Sequence, residues 1–349
     1  MSVFTLAQVK IATVAAAVPA NKASNRDYDR LSPQERDMLI KTTGIAERHI
    51  APDGMATSDL CAAAAQHIFE HGVSPADIGI LIFVSQSPDY YLPATAALLQ
   101  HRLGLPKNCI AFDIGLGCSG YVYGLTALAS LMKTTGVKKA LLLAGDISSN
   151  TASPEDKSTY PLFGDAGSAT LLELDDSASD WQVSLMTDGS GGQAIMIPDG
   201  GARNKLSVDS FTRKPVSEGI SRCNLDLVLD GPEIFAFSIR EVPATINALL
   251  AASNTTPEQI DYLVLHQANK LINETIRKKL KLPPEKVPYS LHQFGNTSSA
   301  SIPLTLVTAL ADALKHPCTL LLSGFGVGLS WGGILMQTDN IHCLPLLEL

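Results

Sequence analysis

Short, nearly uninterrupted apolar runs punctuate this chain, among them Ile80-Leu81-Ile82-Phe83-Val84, Ala140-Leu141-Leu142-Leu143-Ala144, Tyr262-Leu263-Val264-Leu265 and Thr319-Leu320-Leu321-Leu322. They lack the polar–apolar alternation of a half-exposed strand and predict strands covered on both faces. Apolar stretches of helical spacing follow two loops of small residues, Gly117-Cys118-Ser119-Gly120 and Asn296-Thr297-Ser298-Ser299. These elements come in two matching sets. Pro75 to Gln86 parallels Pro257 to Gln267, and the Gly117 loop parallels the Asn296 loop. Ala140 to Gly145 parallels Thr319 to Gly324, and Phe163-Gly164-Asp165 parallels Phe325-Gly326-Val327. The spacing is steady: Ile82 to Val264 is 182 positions and Gly145 to Gly324 is 179. Four matches in one order at one offset mark an internal duplication.

Each half therefore reads strand, helix, strand, helix, strand, with helices covering a mostly parallel sheet. The predicted organisation is an N-terminal half over residues 1–175 and a C-terminal half over 230–349, packed across a pseudo-twofold. A connecting region, 176–229, loses the periodicity over its middle; a cap over a pocket and a disordered insertion both fit it. Two segments imitate export or membrane signals. Lys10 to Ala20 has the small-residue ending of a leader, but reads better as a buried strand. Cys318 to Met336 is a charge-free stretch of 19 residues, near the length of a membrane span. Gly324, Gly326, Gly328, Gly332 and Gly333 split it, so strand–turn–strand and no membrane association are expected.

Composition narrows the class. The 349 residues are 46% hydrophobic with a formal net charge of −8, enough to bury a large core and without the basic footprint of a general nucleic-acid binder. Six cysteines with no CxxC pair are too sparse for a disulfide framework and point to a reducing cytoplasm.

The chemistry gathers at loop–helix junctions. Gly115, Gly117 and Gly120 spell GxGxxG, but the motif follows a third strand-like segment rather than the first and holds a reactive residue, which argues against a dinucleotide site. Cys118 sits where a helix N-terminus presents unpaired N–H groups and a positive dipole end, a setting that favours thiolate. Taken alone, it is as readily an inert buried thiol as a nucleophile. His266 ends a buried strand, where open α/β sheets place ligands. Asn296 lies where the Cys118 loop falls in the first half, so a pseudo-twofold brings cysteine and asparagine face to face. His266 and His292 lack metal-ligand spacing and a nearby carboxylate pair, so no metal is expected.

Gly117-Cys118-Ser119-Gly120, His266-Gln267-Ala268-Asn269 and Gly295-Asn296-Thr297-Ser298 resemble the three active-site motifs of the ketoacyl synthase III family of thiolase-fold condensing enzymes. Thr43-Gly44-Ile45 with Glu47-Arg48, Phe163-Gly164-Asp165, and Gly324-Phe325-Gly326 with Trp331-Gly332 extend the likeness over essentially the whole chain. The resemblance implies a thiolase-like α/β fold of two duplicated halves in a five-layered α-β-α-β-α arrangement. It further implies an acyltransferase in which Cys118 takes an acyl group from coenzyme A or acyl carrier protein. The acyl-enzyme then condenses decarboxylatively with a malonyl thioester to give a 3-oxoacyl product. Developing charge on the thioester oxygen calls for fixed neutral donors, which His266 and Asn296 supply. The acyl oxyanion takes backbone N–H groups from Cys118 and the Gly326-Val327-Gly328 loop. No permanently bound cofactor is implied.

Departures from the family pattern shape the remaining expectations. Where housekeeping members carry a tryptophan and an arginine that clamp adenine, this chain has Met38 and Thr42, which weakens the case for coenzyme A as first donor. Leu271 replaces an arginine implicated in carrier-protein docking. Lys270, Arg277, Lys278 and Lys279 offer a substitute basic patch, or simply a solvated helix face. Leu92, before Pro93, stands where the partner subunit's phenylalanine closes the acyl pocket, with Phe163 and Phe325 as further pocket residues. A homodimer follows from the resemblance, and the whole points to a specialised relative. Acyl transfer to an alcohol or amine is the alternative within the family. A papain-like hydrolase shares the Cys, His, Asn order but not the duplication.

Overall fold

The computed structural model describes residues 2–349, which form two large β-sheets, three two-stranded ladders and the helices around them. The first sheet centres on Ile78–Val84, flanked in parallel by Ile110–Ile114 and Lys139–Asp146. Ala166–Leu174 then runs antiparallel to Lys139–Asp146, and Val9–Val18 antiparallel to Ala166–Leu174. The second sheet repeats this with Tyr262–Leu265 parallel to Cys318–Gly326, then Ser330–Thr338 and Trp181–Thr187 each antiparallel to its neighbour.

Side-chain alternation builds the layers. Ile80, Ile82 and Val84 point to a central core shared with Val264, Leu320 and Leu322 of the other sheet, while Leu81 and Phe83 face outward. Helices Gly120–Thr135 and Ser301–Ala309 fill that centre. Helices Thr57–Glu70 and Thr95–Arg102 cover one outer face, and Gly231–Ala252 and Lys270–Lys279 the other. This is the five-layered thiolase-like arrangement. Each fully buried Leu or Ile contributes about 1.5–3 kcal/mol, which explains why charge-free strands are tolerated throughout the interior.

Two expectations need correction. The sheets are mixed rather than mostly parallel, because the last strand of each half returns as a hairpin partner of the one before it. The stretch read as connecting region contains Trp181–Thr187, a strand of the second sheet whose uneven polar–apolar pattern does not stand out in the sequence. Within that region short ladders pair Ile195–Met196 with Val228–Leu229 and Lys214–Ser217 with Ile220–Arg222. The chain ends cross over. Phe4–Leu6 edges the second sheet, while His342–Cys343 and Leu347–Glu348 pair with Val9–Val18 in the first.

Both apolar segments that imitate membrane signals are interior strands, Val9–Val18 and the hairpin Cys318–Gly326 with Ser330–Thr338. Gly231–Ala252 is long and apolar enough to cross a membrane by composition alone, but contains Pro243 and packs Ile234, Phe237 and Ile246 into the core.

Candidate active site

The pseudo-twofold brings the two small-residue loops together. Cys118 lies just before helix Gly120–Thr135, and its Sγ is 3.9 Å from Ser298 Oγ in the loop of the other half. Gly326 closes over the sulfur: a Cβ there would fall 2.6 Å from Cys118 Cβ and 3.1 Å from Sγ, so only glycine fits. Burial, reinforced by the Asp146 carboxylate, pushes the thiol up to about 11. Hydrogen bonds from the Ser298 hydroxyl and from the Cys118 and Val327 backbone pull the other way without prevailing. The thiolate expected from the helix terminus is therefore outweighed by desolvation, and the resting group is a thiol.

His266 is 1% exposed at the end of Tyr262–Leu265. Its Nδ1 is 2.7 Å from Ser301 Oγ, which accepts the Gln267 N–H at 3.3 Å. The serine hydrogen is thus free for Nδ1, and on this pattern we assign the ring hydrogen to Nε2. Burial pulls the imidazolium down to about 3, opposed by a hydrogen bond to the Ser298 backbone. His266 is neutral at any ordinary pH. Asn296 is oriented just as tightly. Its Oδ1 accepts the Ser298 N–H at 2.9 Å, which leaves the Nδ2 hydrogens as donors.

Cys118, His266 and Asn296 line one cavity of ≈ 340 Å³. Phe163, Phe325, Gly326 and Val327 line it too; Gly328 does not, and packs on Ser330 instead. Ile195, Met196, Leu227 and Leu229 make the connecting region an apolar wall of the same cavity. Leu92 is 86% exposed and away from the cavity of this chain.

Models of the 3-oxoacyl-[acyl-carrier-protein (ACP)] synthase III family match residues 112–189 and, for its C-terminal part, 250–338. A beta-ketoacyl-[acyl-carrier-protein] synthase III of Rhodopirellula baltica is 36% identical, the alignment covering 94% of this chain and 98% of that one. The chain belongs to the beta-ketoacyl-acyl carrier protein synthase III family. A synthase III of Neisseria meningitidis serogroup B is 32% identical over 94% of this chain and 98% of its own length. The crystal structure of a 3-oxoacyl-(acyl-carrier protein) synthase from Burkholderia xenovorans superposes with a TM-score of 0.93 at 34% identity, covering 100% and 99% of the two chains. The protein is a condensing acyltransferase, a member of a family whose enzymes join an acyl thioester to a malonyl thioester with loss of carbon dioxide.

In this chain, the suggested basic patch is thinner than the sequence implied. Arg277 is turned inward, paired with Glu274 at 2.7 Å and donating to the Leu282 carbonyl at 2.6 Å. Lys279 donates to the Ile239 carbonyl, but it stays exposed together with Lys270 and Lys278.

Sequence reasoning missed the residues that hold the donors. Ser298 and Ser301 look like helix-opening small residues, and only the fold reveals them as partners of Cys118 and His266. Arg48, of the Glu47-Arg48 motif, is another such residue. It is 2% exposed, and its Nη1 donates to the carbonyls of Tyr160 (2.9 Å) and Phe163 (3.1 Å). That segment in turn fixes Asn296, whose N–H donates to the Leu162 carbonyl at 2.9 Å.

Proposed function

We propose that Cys118 is the nucleophile of a two-step condensation, first acylated by an acyl thioester and then attacked by the carbanion of a malonyl thioester. The observation that supports this most directly is the convergence of Cys118, His266 and Asn296 on one apolar-walled cavity. In the first step Sγ attacks the thioester carbon, and the oxyanion draws on the Cys118 N–H and on that of Val327, which lines the same cavity. In the second, the malonyl carboxylate leaves as carbon dioxide and its electron pair moves onto the thioester oxygen. His266 Nε2–H and Asn296 Nδ2–H stabilise that oxygen, each worth about 10²–10³ in rate. The enolate carbon then attacks the acyl carbonyl, and Cys118 leaves. A histidine held neutral keeps its proton and donates without surrendering it, so the enolate survives to attack carbon.

The apolar walls suit the pantetheine arm that coenzyme A and acyl carrier protein share. Met38, 61% exposed on helix Pro33–Thr43, offers adenine no aromatic stack, which favours the carrier protein as acyl donor. Tyr90, Tyr91 and Leu92 are all exposed on one loop, as suits a homodimer in which a second subunit covers them. The reaction so written needs no resident metal or cofactor, and it suits an enzyme of the cytoplasm.

Intact mass after incubation with acyl thioesters is expected to show one added acyl group, abolished in Cys118→Ala. His266→Ala and Asn296→Ala should still acylate, yet release carbon dioxide from malonyl thioester at least ~100-fold more slowly. An adduct that survives Cys118→Ala, or full decarboxylation without His266, refutes the assignment.

A further inference from the structure

Four successive carbonyls, from Tyr160 to Phe163, each take a hydrogen bond from a buried residue. Arg48 Nη1 donates to those of Tyr160 at 2.9 Å and Phe163 at 3.1 Å. Asn25 Nδ2 donates to that of Pro161 at 2.9 Å and also to that of Ile45 at 3.0 Å. The Leu162 carbonyl accepts the Asn296 N–H at 2.9 Å, and the Gly164 N–H donates to the Asn296 carbonyl at 3.1 Å. Both backbone groups of Asn296 therefore hang on this one segment. Arg48 and Asn25 are joined to each other, Nε to Oδ1 at 3.2 Å, and are 2% and 0% exposed. The arginine also stands against Gly295, where φ is 67° and a Cβ would fall 3.0 Å from Arg48 Cγ.

Neither Arg48 nor Asn25 lines the cavity. Resting on the reading of Asn296 as a donor to the malonyl thioester oxygen, we propose that Arg48 is a positioning residue for decarboxylation. With Asn25 it fixes the Tyr160–Gly164 segment, and through that segment it holds the Asn296 Nδ2–H where the enolate oxygen forms. Arginine suits the task because its planar fork reaches two carbonyls from Nη1 while Nε holds Asn25; a lysine ammonium has no such fixed geometry. Burying a guanidinium is costly unless its hydrogens are bonded, and here they are bonded to the backbone that carries a reacting group's neighbour. Acyl transfer to Cys118 draws on the Cys118 and Val327 N–H groups and does not use the Asn296 side chain. The two half-reactions therefore answer to different parts of the interior, and only the second depends on Arg48.

Two rates on the same variants test this: acylation by a short acyl thioester, followed by rapid-quench intact mass, and carbon dioxide release from a malonyl thioester. In Arg48→Lys, acylation is expected to stay within about threefold of wild type. Carbon dioxide release is expected to fall about 10- to 100-fold, since moving a reacting or donor group by about 1 Å costs up to that much. The double variant decides between positioning and general support of the fold. If Arg48 acts through Asn296, adding Arg48→Lys to Asn296→Ala should slow carbon dioxide release by less than about twofold more. Asn25→Ala loosens the same anchor from the Pro161 side and should show the same split at smaller amplitude; it serves where Arg48→Lys does not fold. Equal falls in both rates, or an Arg48→Lys loss that persists in full on the Asn296→Ala background, would mean that Arg48 only supports the interior. Either result overturns the proposal, as does unchanged carbon dioxide release in both Arg48→Lys and Asn25→Ala. A wild-type rate in Asn296→Ala alone overturns the donor reading, and leaves Arg48 nothing to position.

Discussion

Two strand-end pairs related by the duplication sit beside the same cavity with opposite chemistry. Ser85 and Asp146 of the first half correspond to His266 and Phe325 of the second, 181 and 179 positions later. The first pair is polar, with Ser85 donating to Asp146 at 3.1 Å. The second sets the imidazole edge-on to a phenyl ring, with centroids 5.5 Å apart. One backbone plan has thus been given a hydrogen-bonded carboxyl group on one side and an apolar wall on the other. Surrounding donors offset part of the cost of burying the carboxyl group, whereas burial of a ring without charged neighbours disfavours the charged histidine. The duplication supplies positions, and the side chains divide the labour.

The largest expected break in this symmetry lies one residue further on, where the first half has Ile147 and the second Gly326. Gly326→Ala would drive a methyl into Cys118, and acylation should fall ~100-fold, since misplacing a reacting atom by about 1 Å costs that much. Ile147→Ala, which only widens the cavity, should leave acylation of a short chain within about threefold. Equal losses in the two variants would show that the halves are not distinguished by their approach to the sulfur.

A second test sharpens the contrast in charge. The folded-state pKa of His266 is lowered to about 3 from 6.5, so the unfolded chain binds the extra proton first as pH falls. Its contribution is thus fully favourable above about 6.5 and is lost progressively down to about 3, at up to about 1.4 kcal/mol per pH unit. Denaturant unfolding of His266→Gln should show a shallower acid loss between pH 6.5 and 4 than wild type. Parallel curves would mean that the ring is protonated in the native state.

The smallest effects are expected on helix Lys270–Lys279. Lys270→Glu should raise KM for an acyl carrier protein about threefold at low salt and less at high salt. Arg277→Gln should leave that KM unchanged and lower Tm by about 2 °C, because its partners Glu274 and Leu282 lie within the protein. The reverse ranking would return Arg277 to the docking surface.

Much of this was legible in the chain. Apolar runs at a constant offset gave the two sheets, and Cys118, His266 and Asn296 fell at equivalent strand and helix ends. The rest depended on contacts that spacing does not encode. Trp181–Thr187 was lost because its burial is irregular along the strand. The thiol's charge state was not readable, because a helix terminus is visible in sequence while desolvation is not. Ser298, Ser301 and Asp146 were unreadable as partners, since their convergence exists only after the halves pack. Arg277 looked free until Glu274, three residues earlier, was seen to hold it.

The crossing of the chain ends bears on whether the halves can live apart. Phe4–Leu6 lends its edge to the sheet of the later half, and the segments around His342 and Leu347 lend theirs to the earlier one. Cutting the gene at the midpoint would give two fragments each deprived of a bordering strand and carrying one meant for the other. The molecule is laced like a shoe. Its ancestral repeats can no longer be untied into independent proteins, and reconstitution from pieces would require the fragments to be made together.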